Sequence, residues 1–260
     1  MLSRSHLEYV AAWTAGSLAA FGVVAACCKR SKTLGAAPGY AAATLVHGVL
    51  VIAICYYSLV GPVSWLWEQP ATLQERMYGF DPSAEKICLL QIAMQLYAIA
   101  TALLTRHPLL LTPVALTHHT LTGLSMCAAM YPFGHTRVNV FFGITELSTI
   151  PLEVIDLFKG FKELRKQWPK TDLACKASFA LLFFGLRIGL VTYASIGFQR
   201  DLYELYATGT AHSPVVIVLS MLFNVLICAL QFYWSTLIVA GMRRVLVGGG
   251  GGGGKGGKSE

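Results

Sequence analysis

Apolar and polar positions alternate on a long scale along this chain. Seven mostly apolar stretches, about 8–28, 40–64, 86–105, 109–131, 138–158, 174–198 and 214–241, are separated by shorter polar segments. A helix that crosses a bilayer needs about 20 consecutive apolar residues, and each stretch approaches or exceeds that length. The pattern predicts an all-α integral membrane protein, a bundle of about seven transmembrane helices with no sheet. The first stretch has the look of a signal peptide, but it lacks a basic leader beyond Arg4, and Lys29-Arg30 follow it directly. It is therefore read as a helix in its own right. The chain divides into an N-terminal helix with a basic loop (1–39), a six-helix membrane domain (40–247) and a Gly-rich tail (248–260).

Composition agrees with that reading. The chain is 55% hydrophobic and only 13% charged, with a mean hydropathy of +0.58, whereas a soluble domain carries about 25% charged residues. The net charge of +7 lies between the apolar stretches rather than in one patch, so it marks topology and not a nucleic-acid surface. Assigning loops alternately to two sides places 14 of the 20 basic residues on one side, among them Lys29, Arg30, Lys32, Lys159, Lys162, Arg165 and Lys166. Arg4, Arg76, Lys86, Arg137 and Arg200 fall on the other. The positive-inside rule then puts the N-terminus in the lumen or outside the cell and the C-terminus in the cytosol. Endoplasmic reticulum and plasma membrane both suit such a chain. The seven cysteines lie mostly in apolar runs without CxxC spacing, which predicts reduced thiols and no zinc site. Trp65 and Trp67 are expected interfacial anchors, and 159–173 reads as a basic amphipathic cytosolic segment around Trp168. The tail from Gly248 cannot bury apolar surface and is expected to be disordered.

The chemistry lies in polar residues inside the apolar stretches. An ionisable group at the centre of a span costs roughly 2.5–3.5 kcal/mol on the insertion scale, so each one asks for a partner. His47, Gln95, the adjacent His118 and His119, Glu146, Arg187 and Asn224 fall at comparable depth although successive helices run in opposite directions. Glu146, Thr149, Glu153 and Asp156 share one face of the fifth helix, spaced 3, 4 and 3 apart. Pro151 interrupts that helix and frees backbone carbonyls. A polar layer facing an interior cavity is the expectation. Polar residues also glue membrane helices together, and a lone His47 or Asn224, or a pairing of Arg187 with Glu146 or Glu153, fits that simpler role.

Four motifs together resemble a known family. Val46-His47, His118-His119, Glu146-Leu147-Ser148-Thr149-Ile150-Pro151 and Leu186-Arg187-Ile188-Gly189 are similar to positions of the TLC domain, shared by TRAM, Lag1 and CLN8 proteins. The resemblance spans roughly 40–247 and is nearer to the small TLC-domain proteins than to the ceramide synthases. The synthases carry H-D-x-x-D-x-x-L-E, whereas Thr145–Glu153 here keeps only Leu152-Glu153 of it.

The resemblance and the polar layer imply lipid handling, an influence on phospholipid or sphingolipid composition through an intramembrane cavity. Membrane lipid is the expected partner; no nucleic acid, metal or cofactor is expected. A second reading is an acyl-CoA-dependent acyltransferase, with His119 or His118 as general base, Glu146 orienting the imidazole, and acyl-CoA as substrate. A third is a transporter or proton-coupled carrier. In all three, His47, Gln95, Thr149, Glu153, Arg187 and Asn224 are candidate ligand-binding residues. Adjacent residues on a helix point about 100° apart, which predicts distinct roles for the two histidines. His119 shares its face with Thr112, Ala115, Thr122 and Gly123 and is expected to look inward and reach Glu146 directly or through one water. His118, beside Leu111, Val114 and Leu121, is expected in a helix seam.

Overall fold

A computed structural model describes residues 2–61, 70–131 and 133–248, with side chains given as far as 243. Trp65, Trp67 and the tail beyond Gly248 lie outside the described residues. The described chain is helical, without strands. The helices are α1 (Arg4–Cys28), α2 (Pro38–Val60), α3 (Leu73–Tyr78), α4 (Pro82–Thr105), α5 (Pro113–Ala129), α6 (His135–Gly160), α7 (Lys162–Gln167), α8 (Pro169–Ala207) and α9 (Pro214–Gly248). Six helical stretches among the described residues are long and apolar enough to cross a membrane. The seventh expected span is α5, which has 17 residues and so a length of about 25 Å. The architecture is a membrane bundle of about seven helices.

Local chemistry sets the helix starts. Five helices begin on a proline, at Pro38, Pro82, Pro113, Pro169 and Pro214. Proline lacks an N–H where the first turn leaves it unpaired anyway. Hydropathy alone starts the third span at 86, but Asp81 caps it from the Ser83 N–H at 2.8 Å, so the helix begins at Pro82. Ser3 with His6 and Thr72 with Glu75 form reciprocal capping boxes that start α1 and α3.

Two spans are not regular helices. In α6, residues Asn139–Gly143 are π-helical and Ile144–Ser148 are 3-10 before the α-helix resumes at Thr149. The irregularity lies upstream of Pro151, where the missing N–H removes a donor from the preceding turn. In α8, Phe183–Leu190 is π-helical and contains Arg187. Such π segments recur at functional sites.

The main core joins α1, α2, α4, α5 and the start of α6 around Leu50, Ile54, Ile87, Leu90, Tyr97 and Met126. α4 is the most enclosed span. A second core joins α3, α8 and α9 around Met77, Phe198, Leu202, Leu205 and Ile217. Apolar side chains such as Leu104, Leu181, Tyr193 and Ile196 remain exposed on the outside, as a lipid-facing surface requires. All seven cysteines are free.

Candidate functional site

The polar residues of the layer come from five helices and converge. On α2, His47 places Nδ1 at 2.7 Å from Oε1 of Glu153 on α6. On α5, His119 places Nδ1 at 2.6 Å from Oε1 of Gln95 on α4. The amide of Gln95 donates to Oε1 of Gln91 one turn earlier, at 2.6 Å. Gln91 donates in turn to Oε1 of Glu146, at 3.2 Å, and to the Phe142 carbonyl, at 2.8 Å. That carbonyl belongs to the π-helical part of α6. Helix irregularity and hydrogen-bond network thus form one unit.

Glu146 is held at its other end by Arg187 of α8. The carboxylate accepts from Thr149 Oγ1 at 2.6 Å, and Arg187 Nη2 lies 3.5 Å from it. Arg187 also donates to Thr149 Oγ1 at 2.8 Å and, from Nε, to Ser148 Oγ at 2.7 Å. Each hydroxyl accepts from the guanidinium and passes its own proton on, Thr149 to Glu146 and Ser148 to the Thr145 carbonyl. Of the two acidic partners expected for Arg187, the fold selects Glu146, while Glu153 goes to His47.

These groups surround a cavity of about 400 Å³. His47, Gln95, His118, His119, Glu146, Thr149, Glu153 and Arg187 all border it, with Asp156 and Lys159 farther along α6. The lining is mixed. α2, α4 and α6 supply most of the polar groups, whereas Leu109, Leu110, Phe179, Phe183, Leu237 and Ile238 supply apolar ones.

Three expectations change. His119 makes no direct hydrogen bond to Glu146; its Nδ1 bonds Gln95, and Gln91 links Gln95 to Glu146. The two histidines are not divided between cavity and seam: both border the cavity, with ring centroids 5.4 Å apart. His118 additionally packs edge-on against Trp234 of α9 at 5.1 Å, and its Nδ1 has no hydrogen-bond partner. The width of the void lets neighbouring rings share it. Asn224 stands apart. It bonds Ser195 and Gln199 of α8 at 3.1 Å each and borders a separate cavity of about 70 Å³.

Sequence reading missed Gln91, which is fully buried and central to the chain of bonds. Its spacing of four from Gln95 was the available signal. Trp234 gave none, since a tryptophan in an apolar run is unremarkable in a membrane span. A second buried cluster was also missed. Asp201 on α8 is fully buried and accepts from Arg76 Nη2 at 3.0 Å, Arg76 Nε at 3.2 Å and Arg137 Nη2 at 3.1 Å. Counted along the sequence, Arg76 and Arg137 are loop charges; in the fold they close an ion-paired knot of α3, α6 and α8.

Among the described residues, no three potential metal ligands converge. A family model described as the TLC domain matches residues 41–240, a range that contains every residue lining the larger cavity. No curated protein and no solved structure matches the chain.

Proposed function

This chain belongs to the TLC-domain family, and on that footing we propose that it handles a membrane lipid inside its larger cavity and so adjusts membrane lipid composition. The observation that carries this reading is the mixed lining. A void of about 400 Å³ bordered both by hydrogen-bonding groups and by aliphatic and aromatic side chains suits a molecule with one polar end and one chain. The charge distribution further supports a lumenal or extracellular N-terminus, a cytosolic C-terminus and residence in the endoplasmic reticulum or plasma membrane.

The test is lipid mass spectrometry on the full chain, extracted with its surrounding membrane into a polymer disc. One lipid class should be enriched over bulk membrane, and the enrichment should vanish in Ala98→Phe, which fills the cavity from α4. A profile equal to the bulk in both proteins would sink the reading.

One observation favours a second, enzymatic reading. The His47–Glu153 pair is a carboxylate-oriented imidazole at the edge of the cavity, and the Nε2 of His47 has no partner. That is the arrangement of a general base. An acyl transfer from acyl-CoA would then depend on His47, because the neighbour of His119 is an amide and not a carboxylate. Product formation from acyl-CoA and an amine or hydroxyl lipid, lost in His47→Ala, would establish it; no product at any acyl length would remove it.

A further inference from the structure

We infer that the polar end of the lipid taken up by the cavity carries no net charge. This rests on the lipid-handling reading above and narrows it to a substrate class: single-chain hydroxy lipids such as monoacylglycerols, rather than phosphates or amines. Each carboxylate that borders the cavity already has a partner: Glu146 lies 3.5 Å from Arg187, Glu153 is hydrogen-bonded to His47 at 2.7 Å, and Asp156 lies 2.5 Å from Lys159. Among the described residues, no other Asp, Glu, Lys or Arg borders the cavity. An ionic head would enter a site with no spare counter-charge, and a buried charge without a partner loses hydration uncompensated.

What remains unsatisfied is neutral in kind. His47 Nε2 and His118 Nδ1 are buried without hydrogen-bond partners, on two rings that border the cavity. Glu153 holds the proton of His47 on Nδ1, which leaves Nε2 to accept, whereas His118 Nδ1 donates or accepts according to tautomer. A hydroxyl can meet either role, whereas an ammonium only donates and a deprotonated phosphate oxygen only accepts. The volume of about 400 Å³ is near the lower end of ligand cavities, so it suits a head with part of one chain rather than a whole two-chain lipid.

The experiment compares three probes with the same oleyl-length chain: 1-oleoylglycerol, its 3-phosphate and oleylamine. Each is added to the purified full chain in uncharged detergent, and the thermal unfolding midpoint is read. The shift counted is the difference between wild type and Ala98→Phe, which cancels effects on the micelle. 1-Oleoylglycerol should raise the midpoint by about 5 °C at a hundredfold excess over its dissociation constant, and the charged probes should leave it unmoved. A larger shift with the phosphate or the amine overturns the uncharged head while the lipid reading stands. No shift with any probe, or equal shifts in wild type and Ala98→Phe, overturns both.

Charge variants at the half-exposed Asp156–Lys159 pair give a second measurement on folded protein. Asp156→Asn should improve binding of the phosphate, and Lys159→Ala that of the amine, each by about two- to threefold given solvent screening. If neither variant moves the ranking, charge matching is not what selects the head.

Discussion

Two buried charge clusters occupy this bundle, and they differ in what surrounds them. The Asp201 knot holds one carboxylate against Arg76 and Arg137, with Asp201 fully buried and Arg76 tied also to the Pro70 and Ala71 carbonyls. Thr136 Oγ1 donates to the Arg76 carbonyl at 2.7 Å, so side chains and backbone lock together. The cavity cluster uses the same chemistry, Glu146 with Arg187 and Glu153 with His47, yet it looks onto a void of about 400 Å³. Salt bridges inside a bundle therefore do not by themselves mark a site. The distinguishing feature is open volume beside groups that still have bonds to offer. The knot joins α3, α6 and α8 around its carboxylate, whereas the cavity cluster borders open volume.

The largest expected effect tests that contrast at Asp201. Asp201→Ala leaves the buried Arg137 and the part-buried Arg76 without their carboxylate and should cost about 3–5 kcal/mol, lowering the unfolding midpoint by roughly 10 °C. Replacing the knot whole, with Asp201→Leu, Arg76→Met and Arg137→Met together, should recover most of that loss while lipid enrichment persists. If the triple replacement abolished enrichment, the knot would belong to the site.

Arg187→Met comes next. Glu146 keeps Gln91 and Thr149, and the void admits water to the stranded carboxylate, so the stability loss should stay near 1–2 kcal/mol while enrichment disappears. A loss as large as that of Asp201→Ala would place both clusters in one structural class.

His119→Ala removes one bond to Gln95, which water in the cavity can replace. It should cost less than about 1 kcal/mol and abolish enrichment. His118→Ala, which also loses the packing against Trp234, should cost more stability. Thermal unfolding of the two variants side by side decides the order, and the opposite ranking would show the rings misassigned.

The smallest effect lies outside the membrane spans. His212 Nδ1 and Tyr78 OH share a hydrogen bond of 2.9 Å, and the ring stacks on Tyr131 with centroids 4.7 Å apart. Partial burial lowers its pKa from the ordinary 6.5. A lowered folded-state pKa means the unfolded chain binds the proton more readily, so the contribution is complete above about 6.5 and fades as pH falls below it. The unfolding midpoint should drop slightly more between pH 7 and pH 5 in wild type than in His212→Phe, which keeps the stack and cannot titrate. Equal slopes would remove His212 from the pH response.

The sequence by itself determined the membrane bundle, because seven long apolar stretches have few other solutions in lipid. It also determined which spans carry polar groups, since a charge at mid-span is conspicuous against its neighbours. The face shared by Glu146, Thr149, Glu153 and Asp156 follows from helical periodicity, and all four border the cavity. Partner choice was decided by tertiary structure. Which carboxylate meets His47 and which meets Arg187 depends on how far α6 is rotated, and its π and 3-10 turns shift that rotation in a way no regular period encodes. Gln91 entered the network because α4 is enclosed enough to force both its glutamines to bond inward. Arg76 and Arg137 read as loop charges because charge counting sees position along the chain and not the helix that folds back over it. Asn224 sits at the same depth as the rest of the layer and still belongs elsewhere, since depth is one coordinate and the packing of α8 on α9 fixes the other two.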